Sequence, residues 1–547
     1  MKSRISRILQ SSALSLFLFF ASFFYLTNAG DSKWGDETYM ILVARKMVTD
    51  GQLGFPKNEI TSIAFWDHFA AKGPDGLYYM KWGLGQSLSE VPFLFLHRLM
   101  LGMSGPEKSQ KDQTWFYLTE FAFLMLCPSV ISALGCVLFY LLALRLGFSH
   151  RVSILLTLIY GLATMVWPYS KSFMSETTLN TTILGGVYGA LRYVQDRRKR
   201  WIAVSGVCMG FAMLTKVTAL LAIPVIVLYV VGSLSTKKSL LHLLLCFVPP
   251  LAAFSGLQAW HNLVRYGSVW EMGYRAGSDA LGFSTPMLAG LWGLLLSPGK
   301  SFFLYTPVAL LALFCLASFV RYRRNEALMG LGITVLFVLF HARWWSWAGD
   351  WAWGPRFLLV ITPYVLLPCG VLLEKWKELK RYNRCLALML ILLSFGIQFL
   401  GVAIHPFSYI EVRGRVLDQM MGSDMTVLSY RRFYTESALA QFSPLFSHIA
   451  GNWWLLRHMF FSYDLWSDAP WRALGDFALE PPLWVIGDRA IPFWWPVGLP
   501  MFSDKTEAWV YPLAIITFLI LVWGGVRVGR LLKGGIAHGS MEPVPQA

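Results

Sequence analysis

Apolar positions along this chain fall into long runs separated by short polar stretches rich in Lys and Arg. The runs are about 17–25 residues long, which is the length that crosses a hydrocarbon core of about 30 Å. Backbone polar groups find no water in lipid, so such runs must fold as helices. The pattern predicts an all-α polytopic membrane protein with about 12 transmembrane helices.

Ile8 to Thr27 follows a basic start and reads as an uncleaved first span in preference to a signal peptide, because it is long and no small-x-small cleavage site follows. Residues 28–114 form a long outer loop. It holds an amphipathic helix from Glu37 to Val48 and a short apolar piece, Leu88 to Leu101, which carries Glu90, His97 and Arg98 and reads as interfacial or re-entrant. Further spans are expected at Trp115–Leu144, Ser153–Pro168, Thr177–Tyr193, Trp201–Leu214, Val217–Val231, Leu241–Trp260, Phe302–Val320, Ala327–Phe340, Phe357–Leu373, Cys385–Ile404 and Trp509–Val526. Three units follow: a membrane core over 1–404 that includes the outer loop, a Trp-rich extracytoplasmic region over 405–507, and a final span with a tail over 508–547.

Composition changes this picture little. Of 547 residues, 56% are hydrophobic and only 14% are charged, well below the quarter usual in soluble domains. The net charge of +16 would suggest nucleic acid in a soluble protein. Here the basic blocks, such as Arg197 to Arg200 and Arg321 to Arg324, all land on one side of the spans, as the positive-inside bias requires. Both termini are then cytoplasmic, and residues 28–114, 261–300 and 405–507 share the outer face. The seven cysteines lie mostly inside apolar runs with no Cys-x-x-Cys pair, so they read as small buried residues. No P-loop, Gly-x-Ser-x-Gly, His-Glu-x-x-His or Asp-x-Asp occurs, which argues against ATP-driven transport and metal-bound nucleotide-sugar donors. No internal repeat supports a secondary transporter.

Candidate chemistry gathers at the outer ends of the spans. Asp36 and Glu37 follow the first span, and Asp36 is either an N-cap or a carboxylate base held at the membrane surface. Lys81 follows Tyr78 and Tyr79 and precedes flexible glycines, which suits either an interfacial snorkelling Lys or a lipid-phosphate contact. Lys171, Ser175 and Glu176 occupy one short outer turn and Lys216 another, where charges are most often solvated ends. Arg356 ends a Trp-rich segment at Trp353-Gly354-Pro355-Arg356, and its planar fork fits bidentate phosphate contact. His448, a lone histidine, reads as structural.

Four segments resemble the GT-C type membrane glycosyltransferases, in particular the protein O-mannosyltransferase and lipid A aminoarabinose transferase group. They are Gly35-Asp36-Glu37, Lys81 to Ser87, Leu296 to Pro307 and Trp353 to Leu358. Their order, shared side and the overall topology resemble that group over nearly the whole chain. The resemblance implies an inverting glycosyltransferase that moves a hexose or pentose from a polyprenyl phosphate to an acceptor hydroxyl on the outer face of the cytoplasmic (inner) membrane. It implies catalytic carboxylates at Asp36, with Glu37 beside it and Glu176 near the acceptor, and donor phosphate contacts at Lys81 and Arg356. Tyr78, Tyr79, Lys171, Lys216 and Trp353 would line the substrates. The partners expected are membrane lipid, a lipid-linked sugar and a glycan, lipid or protein acceptor, without nucleic acid. No cofactor or metal is required, since two cations serve the leaving phosphate. The stretch Trp82-Gly83-Leu84-Gly85 departs from the proline-rich continuation of the aminoarabinose transferases, which leaves the sugar and acceptor open. The rivals are a transporter or flippase of a lipid-linked saccharide and a non-catalytic scaffold. Convergence of Asp36, Lys81 and Arg356 in one outer cavity separates them from the enzyme.

Overall fold

The computed structural model describes residues 2–28, 35–61, 69–101, 110–234, 236–274, 281–349, 351–404, 409–410, 412–414, 416–417, 438–461 and 507–533. The described chain is helical apart from one two-stranded ribbon, in which Ala70–Lys72 pairs antiparallel with Tyr78–Met80. Six helices are long and apolar enough to cross a membrane: within Thr119–Arg145, Val217–Leu234, Lys237–Tyr266, Arg324–Arg343, Arg381–Ala403 and Val510–Lys533. Five shorter apolar helices accompany them, so the expected number of twelve spans rests on the sequence pattern. Most of the expected 405–507 unit lies outside the described residues.

Several expected spans are broken where the sequence supplies a reason. Ser153 to Pro168 is a helix His150–Leu162 followed by a separate turn, Val166–Tyr169. Phe357 to Leu373 is a 3₁₀ segment Arg356–Ile361 and two short helices, Thr362–Leu366 and Cys369–Glu374. Pro355, Pro363 and Pro368 punctuate it, each lacking the N–H that a continuous helix needs. Trp115 to Leu144 is two helices, Gln110–Leu124 and Leu126–Arg145, meeting at Met125. The piece expected at Leu88 to Leu101 is a full helix, Leu84–Leu101, with Glu90 and His97 wholly buried. It packs against the Gly35–Asp50 helix, and Ser87 Oγ donates to Met40 O at 2.8 Å.

Ser175–Asp196 runs through the middle of the molecule and is buried along almost its entire length. Two of its polar side chains bond to neighbouring helices: Asn180 donates to the Tyr160 hydroxyl at 2.7 Å and Thr181 to Ile131 O at 3.0 Å. Small residues bring the next helix, Lys199–Thr215, against it. A Cβ on Gly189 would stand 2.8 Å from Trp201 O. Leu16, Phe20 and Phe24 of the first helix, Lys2–Leu26, join the same core, and that helix packs on Leu126–Arg145 and Glu507–Lys533.

The basic loops share one end. Arg145 and Arg192 both bind Asp196, at 3.2 and 2.5 Å, and Arg323 Nε donates to Leu146 O at 2.9 Å. At the opposite end lie Thr27, whose hydroxyl accepts from the Trp167 indole, and the corners around residues 171, 216, 300 and 353.

Candidate functional site

The helix after the first span begins at Gly35, so Asp36 and Glu37 stand in its first turn and Asp36 is not the N-cap. There the two carboxylates face the positive end of the helix dipole. They diverge in role. Glu37 is fully buried and accepts a hydrogen bond from the Ser172 hydroxyl. Asp36 has a side chain 27% exposed and reaches Arg356, with Oδ2 3.5 Å from Nη1.

Arg356 is placed by its own motif. Gly354 takes φ +64°, a left-handed turn that favours glycine, and a Cβ there would strike Met165 and Tyr305. Pro355 then leads into the 3₁₀ segment that starts at Arg356. A Cβ on Gly349 would sit 2.6 Å from the Arg356 Cγ, so that glycine also makes room for the side chain. The guanidinium lies between two carboxylates. Its Nε is 3.9 Å from Glu176 Oε1, and Nη1 also meets Met174 Sδ at 2.8 Å.

Glu176 and Lys216 correct the expectation of solvated turns. Glu176 belongs to the first turn of Ser175–Asp196, is 3% exposed and accepts from Lys216 Nζ at 2.6 Å. Lys216 caps the C-terminus of Lys199–Thr215, and its ammonium also lies 4.5 Å from the Phe357 ring centroid. Phe357 carries Arg356 on the ring as well, at 5.0 Å. Asp36, Glu176, Lys216 and Arg356 therefore form one connected set of alternating charge, with Asp36 its most exposed member. Removing charges from water costs several kcal/mol each, so a buried set persists only when paired as these are.

Lys81 lies one aromatic layer away. Its ammonium is 5.1 Å from the Phe69 ring centroid and 5.6 Å from that of Trp82. Phe69 in turn packs against Gly35, beside Asp36, and both rings pack on Tyr39 of the same helix. Arg265 holds the segment, donating to Met80 O and Trp82 O, the carbonyls on either side of Lys81, at 2.8 and 3.0 Å. Tyr78 and Tyr79 belong to the ribbon. The Tyr79 hydroxyl donates to Asp75 at 2.6 Å, and its ring fills the space over Gly54 and Gly73. That places Tyr79 in the ribbon's own packing, apart from the charged set. Lys171 is buried and donates to Val402 O at 3.0 Å, while Trp353 packs edge-on to Tyr305. These two line a separate small cavity beyond the Lys171–Ser172 corner.

Sequence reasoning did not single out Ser172, Arg265 or Gln86. Gln86 accepts from Thr178 at 2.6 Å and donates to Glu90 at 2.9 Å, tying two helices beneath the carboxylates. Gln86 and Ser172 carry no signal in isolation, since a hydroxyl or amide becomes informative only through its partner. Among the described residues no group of three His, Cys, Asp or Glu side chains is placed to hold a metal ion.

Residues 118–260 match the family model described as dolichyl-phosphate-mannose-protein mannosyltransferase. No curated protein matches the chain. Among solved structures it is similar to ArnT from Cupriavidus metallidurans, solved bound to undecaprenyl phosphate. That similarity has 14% identity and a TM-score of 0.42, covering 97% of this chain and 78% of that one. The matched segment 118–260 contains Lys171, Ser172, Glu176 and Lys216.

Proposed function

We propose that the chain transfers a sugar from a polyprenyl-phosphate carrier to an acceptor hydroxyl, with inversion, at the outer mouth of the membrane helices. The observation that carries this reading is the meeting of Asp36 and Arg356, 320 positions apart, beside the Glu176–Lys216 pair in one outer cluster. The donor class follows from the matched family's description, which names a dolichyl-phosphate sugar.

In this mechanism Asp36, partly open to solvent, accepts the acceptor hydroxyl proton. The acceptor oxygen bonds to C1 of the sugar from the face opposite the phosphate. The C1–O bond breaks, and its electron pair leaves on the polyprenyl phosphate. Arg356 and Lys81 are the pre-placed cations for the charge that grows there, and pre-organised charge in a water-poor site is the largest lever on such a step. Glu176 holds Arg356 and Lys216, and Glu37 with Ser172 fixes the turn that carries Asp36. A positioned base contributes about 10²–10⁴-fold. Two cations meet the electrostatic need, so transfer is expected to continue in EDTA.

The test is to incubate purified protein with radiolabelled polyprenyl-phosphate sugars and membrane extract, then identify the labelled product. Asp36→Asn should insert and melt like wild type while losing transfer by at least about 10²-fold. Full activity of that variant removes Asp36 from the mechanism. Flipping of the labelled lipid without transfer would favour the transporter instead.

A further inference from the structure

The first turns of three helices meet beneath the charged set. Gln86 and Ser87 stand in the first turn of Leu84–Leu101, the helix that follows Lys81. Thr178 stands in the first turn of Ser175–Asp196, beside Glu176. Asp36 belongs to the first turn of Gly35–Asp50. Gln86, Ser87 and Thr178 are each only 2% exposed, so their bonds are shielded from water.

Side chains of the Leu84–Leu101 turn join it to the other two helices. Ser87 holds the Asp36 helix through Met40 O. Gln86 uses both ends of its amide: the oxygen accepts from the Thr178 hydroxyl at 2.6 Å and the nitrogen donates to the buried Glu90 at 2.9 Å. An amide has an acceptor at one end and donors at the other, so the Glu90 bond fixes the oxygen toward Thr178. On the other side of Lys81, Arg265 donates to the carbonyls of Met80 and Trp82. Lys81 is thus held between two anchors, one on Val248–Tyr266 and one on the helix that bears Glu176.

We infer that Gln86 and Thr178 are positioning residues, whose hydrogen bond sets Lys81 at its working distance from the Glu176–Arg356 pair so that one phosphate group is held by both cations. Neither side chain touches the ligand. The phosphate, and the roles of Lys81 and Arg356 in holding it, rest on the transfer reading above.

The test measures binding of radiolabelled polyprenyl phosphate to the full chain in zwitterionic nanodiscs. Thr178→Val removes the hydroxyl and keeps the branched shape. It should raise Kd about tenfold, the size of one buried hydrogen bond. Thr178→Ser keeps the hydroxyl and should bind like wild type, while Gln86→Leu should weaken binding as Thr178→Val does. In a Lys81→Met background, itself weakened, Thr178→Val should raise Kd no further, because the bond acts through Lys81. A general loosening of the fold would not single out that background. The inference is overturned if Thr178→Val or Gln86→Leu binds as tightly as wild type, or if Thr178→Ser is as weak as Thr178→Val. It is also overturned if Thr178→Val raises Kd by the same factor with and without Lys81. Wild-type binding by Lys81→Met would remove Lys81 from the phosphate site and take this inference with it. Normal binding without sugar transfer from any donor would sink the transfer reading alone and leave these Kd ratios standing.

Discussion

Glu176 shows how a single buried carboxylate can tie two cations together. It accepts from Lys216 at 2.6 Å, lies 3.9 Å from Arg356, and is almost wholly buried. Substituting Glu176→Gln keeps the shape and removes the charge, leaving two cations facing an amide in a low-dielectric pocket. Loss of one partner from a buried pair costs about 3–5 kcal/mol. A lowered melting temperature is expected together with loss of transfer, and Glu176→Gln with Lys216→Met should regain part of the stability but not the activity. Equal melting of wild type and Glu176→Gln would show that the pair contributes nothing. Each of the four charged positions is recognisable in the sequence as polar and near a span end. Which of them pair is not, because Asp36 and Arg356 meet only through the packing of separate helices, and the sequence pattern specifies side of the membrane but not distance across it.

At the scale of elements, the two glycines of Trp82-Gly83-Leu84-Gly85 have a structural reason. A Cβ on Gly85 would lie 2.3 Å from Thr215 Oγ1 and 2.6 Å from Thr215 N, and one on Gly83 would lie 2.5 Å from Leu214 O. The start of Leu84–Leu101 thus rests directly on the corner that presents Lys216. Gly85→Ala must push that corner or the Lys81 segment away, and overpacking of this kind costs about 1–3 kcal/mol. Transfer is expected to fall more than stability, since misplacement by about 1 Å can cost about 10²-fold. Matched melting curves and turnover on Gly85→Ala and on Gly232→Ala, whose added Cβ meets nothing within 4 Å, decide it; equal turnover would deny the corner any role. Long uniform spans such as Arg381–Ala403 were readable from hydropathy alone. The interrupted ones were not, because an apolar run with Pro355, Pro363 and Pro368 keeps its hydropathy while losing its helix. Ser175–Asp196 is the converse case: its hydroxyls look unsuited to a core until neighbouring elements enclose them and accept their hydrogen bonds, as Tyr169 O, the Gln86 amide oxygen and Ile131 O do for Thr177, Thr178 and Thr181.

For the whole molecule, the helix His448–Phe461 is joined to the membrane core by a small set of buried contacts. Within the described residues the join runs through His448, Asn452 and Trp454. Asn452 donates to Leu400 O at 3.1 Å, Trp454 packs with Leu400 and Tyr409, and the His448 ring meets Tyr409 edge-on. His448 is neutral in the fold because burial, Lys300 and Arg413 all oppose its protonation. The unfolded chain protonates it near pH 6.5. Below that pH the unfolded state binds a proton that the folded state does not, so stability falls as pH falls, by up to about 1.4 kcal/mol per pH unit from this group. The docking should therefore loosen on acidification from pH 7 to 5. His448→Gln, which keeps a neutral polar group and cannot titrate, should flatten the dependence. Since other buried histidines also titrate, the reading is the difference between wild-type and His448→Gln melting temperatures at each pH. That difference is expected to shift steadily in favour of the variant below pH 6.5, and a difference that stays constant across the range would show that this histidine does not couple the outer region to the core.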